Sequence, residues 1–472
     1  MSLFPLDLLL KRIIRHGTLT VVDTTGRAQR FEGRSAGPHV TVRLVDPKFP
    51  RRMVRNPGLL LGEGYVDGAY VIEEGTLRDF LEVLMVSTAT GEPAGIVGAI
   101  ASRAASVLGG RNTLGRATKN VQHHYDIDHS LYELFLDRDM QYSCAYWRPG
   151  VTSLDDAQRD KKRHLARKLL LQPGMKVLDI GSGWGGLALH LAREHGVHVT
   201  GLTLSTDQYE TSLRRAQAEG LSDRVTFKLL DYRQEAGVYD RIVSVGMFEH
   251  VGRQHFGEFF RHLDRLLKPE GLAVLHTIGR MATPGGINAW VRKYIFPGTY
   301  LPSLSQLSPE LERRGLWMTD YEMLRLHYAE TLKAWDERFQ AKRAEIAARF
   351  DERFCRMWEF YLQSCEAGFR HRSLVVFQLQ ITKQIGTAPI TRDYMYADAP
   401  AQPVAAPQPV AAARATASAK APRKSPAKAA APDGHVNGAK ANGHAPARTR
   451  AKPAPTTAAR PRSRAARPEQ DG

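Results

Sequence analysis

The chain has few cysteines, too few acids to balance its bases, and no apolar run long enough to cross a bilayer. Only Cys144, Cys355 and Cys365 occur in 472 residues. Three scattered thiols exclude a disulfide-stapled module and a tetrahedral zinc cage, and an odd number fits a reducing compartment. The segment AGIVGAIASRAASVL (94–108) is interrupted by Arg103 and falls short of the roughly 20 residues a membrane-spanning helix needs. The opening MSLFPLDLLLKRIIRHG sets Lys11, Arg12 and Arg15 after a short apolar run broken by Asp7, which is not the charge order of a secretion signal. The expectation is a cytoplasmic protein without a spanning helix.

Lys and Arg number 66 against 49 Asp and Glu, a formal net charge of +17. Much of the excess sits in residues 401–472, where thirteen Lys/Arg face Asp433, Glu469 and Asp471 among eleven prolines, with no Phe, Trp or Tyr. Such a stretch lacks the apolar area that offsets ordering entropy, so a disordered tail is expected. It is suited to anionic phospholipid, to nucleic acid, or to a plain solubilising role. The clusters Lys11-Arg12-Arg15 and Arg51-Arg52-Arg55 read either as a solvated face or as a hold on a bilayer surface.

Three regions follow from the changing pattern. Residues 1–120 mix short alternating runs such as HVTVRLV with the glycine-rich LLLGEGYVDGAYVIEEGTL and read as a small α+β domain. Within 121–395, apolar runs MKVLDIG, VHVTGLTL, RVTFKLL, YDRIVSVG and GLAVLHTIG alternate with helical patterns, the signature of an α/β, mostly parallel sheet covered on both faces. Tyr328 to Phe369 reads as one or two long amphipathic helices, and HRSLVVFQLQITKQ as an alternating strand. Residues 396–472 are the basic tail.

The most informative local sequence is VLDIGSGWGG, in which Gly181, Gly183 and Gly186 fit G-x-G-x-x-G at a strand-to-helix turn. That pattern permits close backbone approach to a cofactor at a helix N-terminus. A nicotinamide site should carry an acid at the end of the second strand. Here VTGLTLSTDQ offers Thr203, Ser205 and Gln208, with Asp207 already in the following helix. Asp179, just before the glycines, tilts the reading to S-adenosylmethionine. Asp231 in LLDYR is placed either to accept from an adenine amino group or to be an exposed turn residue. The His123-His124 pair adjoins Asp126 and Asp128, but neighbouring side chains converge poorly on one ion, so no metal is expected.

HYDIDHSLYELFLDRDMQYSCAYW, VLDIGSGWGG, GLTLSTDQ, DYR, MFEHVG, LHTIG and HYAETLKAW occur in that order. Together they resemble the cyclopropane-fatty-acyl-phospholipid synthases and the related mycolic acid cyclopropane synthases, over about residues 120 to 390. The sequence departs from the family's usual Gly-Asn after HYD at Asp128-His129. The resemblance implies a class I S-adenosylmethionine-dependent methyltransferase with a Rossmann-like, seven-stranded sheet. It further implies methylene transfer to the cis double bond of an unsaturated phospholipid acyl chain, with bound bicarbonate as base, and lipid engagement by the N-terminal domain of residues 1–120. The family's bicarbonate positions correspond to Cys144, Glu249, His276, the backbone of Ile278, and Tyr328. Its cofactor positions correspond to Tyr142 and Ser143 by the methionine end, Gly181, Gly183 and Trp184 in the turn, Thr203, Leu204, Ser205 and Gln208 by the ribose, and Asp231 by the adenine.

Taken singly, Cys144 reads as a small buried hydrophobe and Tyr328 as helix packing. His250 is a rival general base for an amine substrate. Trp290, Tyr294, Phe296 and Tyr300 either line an acyl tunnel or simply pack. The expected partner is unsaturated phospholipid at the inner face of a bacterial cytoplasmic membrane, with a homodimer and a tail contact with nucleic acid as secondary expectations. The competing functions are formation of a methyl-branched acyl chain, methylation of a small amine, and a nucleic-acid-binding protein with an inactive methyltransferase-like domain.

Overall fold

The computed structural model describes residues 3–89 and 129–396. The segment 94–108, the His123-His124 pair with Asp126 and Asp128, the boundary at 120/121 and the tail from 397 lie outside the described residues.

The N-terminal elements are α1 (Leu6–Ile13), β1 (His16–Val22), β2 (Ala28–Glu32), β3 (Ser35–Leu44), α2 (Phe49–Met53), α3 (Pro57–Val66), β4 (Tyr70–Glu74) and α4 (Leu77–Ala89). The strands form a four-stranded sheet in the order β2-β1-β3-β4. In β3, Val40, Val42 and Leu44 are buried while their neighbours are not, so one face of the sheet meets the core, as alternation requires. The glycine-rich stretch 59–77 supplies most of α3 and then β4. Its Gly62 is packed so closely that a Cβ would lie 2.6 Å from Trp290 and 2.7 Å from Phe360, which lets the helix backbone press against the C-terminal region.

From residue 129 the elements are α5 (His129–Phe135), α6 (Leu154–Lys168), β5 (Lys176–Ile180), α7 (Gly186–His195), β6 (His198–Thr203), α8 (Thr206–Ala218), β7 (Val225–Leu229) and β8 (Tyr239–Val245). After two 3-10 turns come α9 (Phe256–Leu266), β9 (Leu267–Arg280), α10 (Ala289–Tyr294), α11 (Leu304–Glu312), β10 (Trp317–Leu324), α12 (His327–Ala341), α13 (Arg343–Arg349), α14 (Glu352–His371) and β11 (Leu374–Thr382). A seven-stranded sheet runs in the order β10-β11-β9-β8-β5-β6-β7, with β11 antiparallel to both its neighbours and the remaining pairs parallel. Successive residues face opposite sides. Val177 joins a core with Leu165, Leu191 and Val199, whereas Leu178 joins one with Ile242, Phe259 and Leu379.

Two readings are corrected. Three helices occupy 327–371 rather than one or two, because the chain breaks around Lys342 and again near Phe350. β11 does not alternate in exposure, since eight of its nine residues are buried: it lies inside the sheet and is covered on both faces.

The largest core spans both sheets' territories. Leu10, Val42 and Phe80 share it with Tyr132, Trp184, Trp290, Trp335 and Trp358. Polar links cross the same seam. Arg78 on α4 reaches Asp336 at 3.1 Å and Glu366 at 3.0 Å, and Tyr65 on α3 donates to Glu359 at 2.8 Å. No described helix is long and apolar enough to cross a membrane.

Candidate active site

Two adjoining spaces lie beyond the carboxyl ends of the parallel strands, where open α/β sheets hold ligands. The first begins at the turn after β5. Gly181 has φ +87°, and a Cβ there would sit 2.7 Å from the Met247 Cβ, so only glycine fits both the conformation and the gap. Trp184 donates from Nε1 to Asp207 at 2.9 Å, which fixes the indole over the turn. At the end of β6, Thr203 Oγ1 donates to Gln208 Oε1 at 2.7 Å. Asp231, beyond β7, accepts from Arg233 Nε at 2.8 Å and Nη2 at 2.7 Å.

Of the ten residues expected at the cofactor, nine line this pocket: Tyr142, Ser143, Gly181, Gly183, Trp184, Thr203, Leu204, Gln208 and Asp231. Ser205 does not. Its hydroxyl caps α8 by accepting from the Gln208 N–H, so it positions Gln208 and the helix start.

Asp179 is 1% exposed. Neither of its carboxylate oxygens has a hydrogen-bond partner, and burial pushes its pKa up to about 7. A buried polar group left unpaired is costly and marks a place for a ligand or an ordered water. Behind the Tyr142-Ser143 wall, the buried Lys161 donates to Gln141 Oε1 at 2.6 Å and to Ser143 Oγ at 2.9 Å, and burial lowers it to about 8. Lys161 carries no motif signal. Its neighbours lie 18 and 20 residues away in sequence, and only the fold brings them together.

The second space is a cavity of about 480 Å³, within the ordinary range for small-molecule sites. At its inner end stand all five expected catalytic residues: Cys144, Glu249, His276, Ile278 and Tyr328. Glu249 follows β8 and is 3% exposed. Its Oε1 accepts the Ile278 N–H at 2.6 Å, its Oε2 is buried without a partner, and burial pushes it up to about 7. His276 on β9 accepts from Gln378 Nε2 at its Nδ1, 3.1 Å away, and burial holds the ring neutral. The proton then resides on Nε2, at the opposite edge of the ring. Burial raises the Cys144 thiol far above its usual range, so it remains S–H, a weak donor that reaches the Ala145 carbonyl at 3.3 Å. Tyr328 is buried on α12 against Trp335 and Phe369.

The apolar part of the cavity lining comes from both halves of the chain, with Leu61, Leu81 and Met85 from one and Phe360, Phe369 and Leu374 from the other. Of the four aromatic residues that either line a tunnel or pack, Phe296 lines the cavity, while Trp290 packs edge-on to Phe360. Tyr142, Ser143, Gly246 and His250 line both spaces, so the two share a wall. Burial pulls His250 down to about 4, which leaves it neutral at physiological pH.

Residues 112–379 match the family described as mycolic acid cyclopropane synthetase. The cyclopropane-fatty-acyl-phospholipid synthase of Escherichia coli (strain K12) is 39% identical over 344 residues, 73% of this chain and 88% of its own length. A probable fatty acid methyltransferase of Pseudomonas putida is 35% identical over 372 residues, 76% of this chain and 92% of its own. Among solved structures, mycolic acid cyclopropane synthase CmaA1 complexed with SAH and CTAB aligns with a TM-score of 0.53 at 32% identity, covering 56% of this chain and 97% of that one. With the family model matching more than half of its length, the chain belongs to the mycolic acid cyclopropane synthetase family.

Proposed function

We propose that the protein is a cyclopropane-fatty-acyl-phospholipid synthase, transferring a methylene group from S-adenosylmethionine to the cis double bond of a phospholipid acyl chain. The observation that carries this is the wall of Tyr142, Ser143, Gly246 and His250 that the glycine-turn pocket shares with a largely apolar cavity containing the buried carboxylate of Glu249. The similarity to the Escherichia coli synthase supports the acyl substrate.

The first pocket suits the cofactor. It has a glycine turn, an unpartnered buried carboxylate at Asp179, and polar groups of Thr203, Gln208 and Asp231 along its length. When bound, S-adenosylmethionine supplies an electrophilic methyl group. An alkene is a weak nucleophile, so the chain must be held close to that group and water kept out. Phe296, Phe360, Phe369 and Tyr328 provide an apolar lining for both tasks.

The inner end suits bicarbonate, which would supply a proton acceptor. The His276 Nε2–H offers a donor to an oxyanion, Glu249 Oε2 offers an acceptor to the ion's single hydroxyl, and Cys144 and Tyr328 line the same cavity. The Ile278 N–H serves by orienting Glu249. At the surface, α1 exposes Leu8 beside Lys11, Arg12 and Arg15, and Phe4 precedes it. This mixture suits a peripheral hold on an anionic bilayer.

The test is mass spectrometry of acyl chains after incubation with methyl-labelled S-adenosylmethionine and vesicles of cis-unsaturated phospholipid, with and without bicarbonate. A gain of one labelled CH2 that resists hydrogenation is expected, with turnover falling as bicarbonate is removed. A labelled methyl branch would instead favour a fatty acid methyltransferase, and unlabelled lipid would overturn the reading. Deleting residues 401–472 should leave ring formation intact.

A further inference from the structure

The apolar cavity has a basic mouth. At its outer end it is lined by Arg280 and Arg372, together with Thr88, Asn288 and Ser373. Thr88, Asn288 and Arg372 are exposed, while Cys144, Glu249, His276 and Tyr328 at the other end are buried. The cavity therefore runs from solvent to the site of chemistry.

Neither arginine has a carboxylate within ion-pairing distance among the described residues, although most other arginines lining clefts or seams do. Arg280 donates from Nη2 to the Gly286 carbonyl at 3.1 Å, and its Nε is buried without a partner. Arg372 donates to Thr88 Oγ1 at 2.9 Å and to the Met85 carbonyl at 3.4 Å. Among the described residues lining the cavity Glu249 is the only acid, at the far end from these two. A planar guanidinium with idle donors at the rim of a lipid-sized cavity matches a phosphate oxygen pair.

The two arginines belong together by sheet register. Arg280 ends β9 and pairs with Leu374 on β11, two residues beyond Arg372, and the Met281 N–H donates to the Ser373 carbonyl at 2.9 Å, closing that corner. His276 lies four residues back on the same strand, about 13 Å away at roughly 3.3 Å per residue. A phosphate held at Arg280 would thus leave a stretch of acyl chain to reach inward to Glu249.

We propose that Arg280 and Arg372 form the receptor for the phosphodiester of the phospholipid whose acyl chain enters the cavity, and so fix which part of the chain reaches the methyl donor. This rests on reading the cavity as an acyl site. It extends that reading by making the headgroup phosphate, rather than the chain alone, the recognised feature.

The experiment is isothermal titration of the full-length protein with monomeric dihexanoyl-phosphatidylglycerol, with dihexanoylglycerol, and with sodium phosphate. The phosphatidylglycerol should bind at least about tenfold more tightly than the uncharged diacylglycerol, the size of one charge-assisted hydrogen bond. R280Q and R372Q should each remove most of that preference while leaving diacylglycerol binding and S-adenosylhomocysteine affinity unchanged. R372Q alters an exposed side chain, so it tests the site even if R280Q fails to fold. Equal binding of the two lipids by the unaltered protein, or an unchanged preference in R372Q, would overturn the assignment. Sodium phosphate binding as tightly as phosphatidylglycerol would overturn the lipid source and leave a free-phosphate site. Ring formation on vesicles is scored separately: its absence alongside an intact phosphate preference would strike the proposed reaction and leave the arginine site standing.

Discussion

Glu249→Gln separates what the carboxylate does for catalysis from what it does to the fold. Burial lifts Glu249 from an ordinary value near 4.5 to about 7, and each pKa unit is about 1.4 kcal/mol. An acid whose folded pKa is raised binds its proton more tightly when folded. Stability is therefore lost as pH climbs from about 4.5 to about 7, and above that the ionised carboxylate costs about 3 kcal/mol. Glutamine keeps an oxygen for the Ile278 N–H but turns toward the cavity an amide N–H2 where Oε2 has no partner, a penalty of about 1–3 kcal/mol.

The variant should then be more stable than the unaltered protein by about 1 kcal/mol at pH 8 and less stable by about 2 kcal/mol near pH 4.5. The swing of about 3 kcal/mol is firmer than either end value. Urea unfolding followed by tryptophan fluorescence at several pH values measures it, with turnover assayed on the same samples. Turnover should fall sharply in the variant while stability at pH 8 rises. A stability difference independent of pH, or a variant weaker at pH 8 than at pH 5, would refute the reasoning, because Glu249 would then be ionised and well paired in the fold.

Gly181→Ala should weaken S-adenosylhomocysteine binding by tenfold or more and lower the melting temperature, since the new methyl meets Met247 at 2.7 Å and φ is +87°; strain and overpacking together cost about 2–5 kcal/mol. Arg78→Met removes one cation from Asp336 and Glu366, which are 4% and 2% exposed and keep Gln363, Gln340 and Arg370 as partners. A loss of about 1–3 kcal/mol is expected, read as a lower urea midpoint, with the cofactor's affinity unaffected. Leu61→Trp fills the cavity from the α3 side and should raise KM for phospholipid without changing that for S-adenosylmethionine, which steady-state kinetics with each substrate varied will show.

The parallel sheet was legible because strands covered on both faces read as unbroken apolar runs, and MKVLDIG and YDRIVSVG stand out between amphipathic helices. The glycine turn was legible because positive φ at Gly181 and close approach at Gly186 demand residues without a Cβ. β11 was recognised as a strand but not as an interior one. Its Gln378 and Gln380 look solvent-facing in sequence, yet Gln378 is spent on His276 and Gln380 on the Lys168 carbonyl. The break of 327–371 into three helices was missed because no proline or glycine marks it.

The sequence by itself determined the order of strands and helices and the glycine turn, because local periodicity and backbone sterics act between residues near in sequence; the groups expected at the reaction centre came from the family resemblance alone. The tertiary structure alone decided which groups are charged and which are paired. Lys161 behind Ser143, the idle oxygens of Asp179 and Glu249, and the arginines at the cavity mouth depend on burial and on partners from distant parts of the chain. Desolvation and pairing are properties of an assembled neighbourhood, and no stretch of sequence carries them alone.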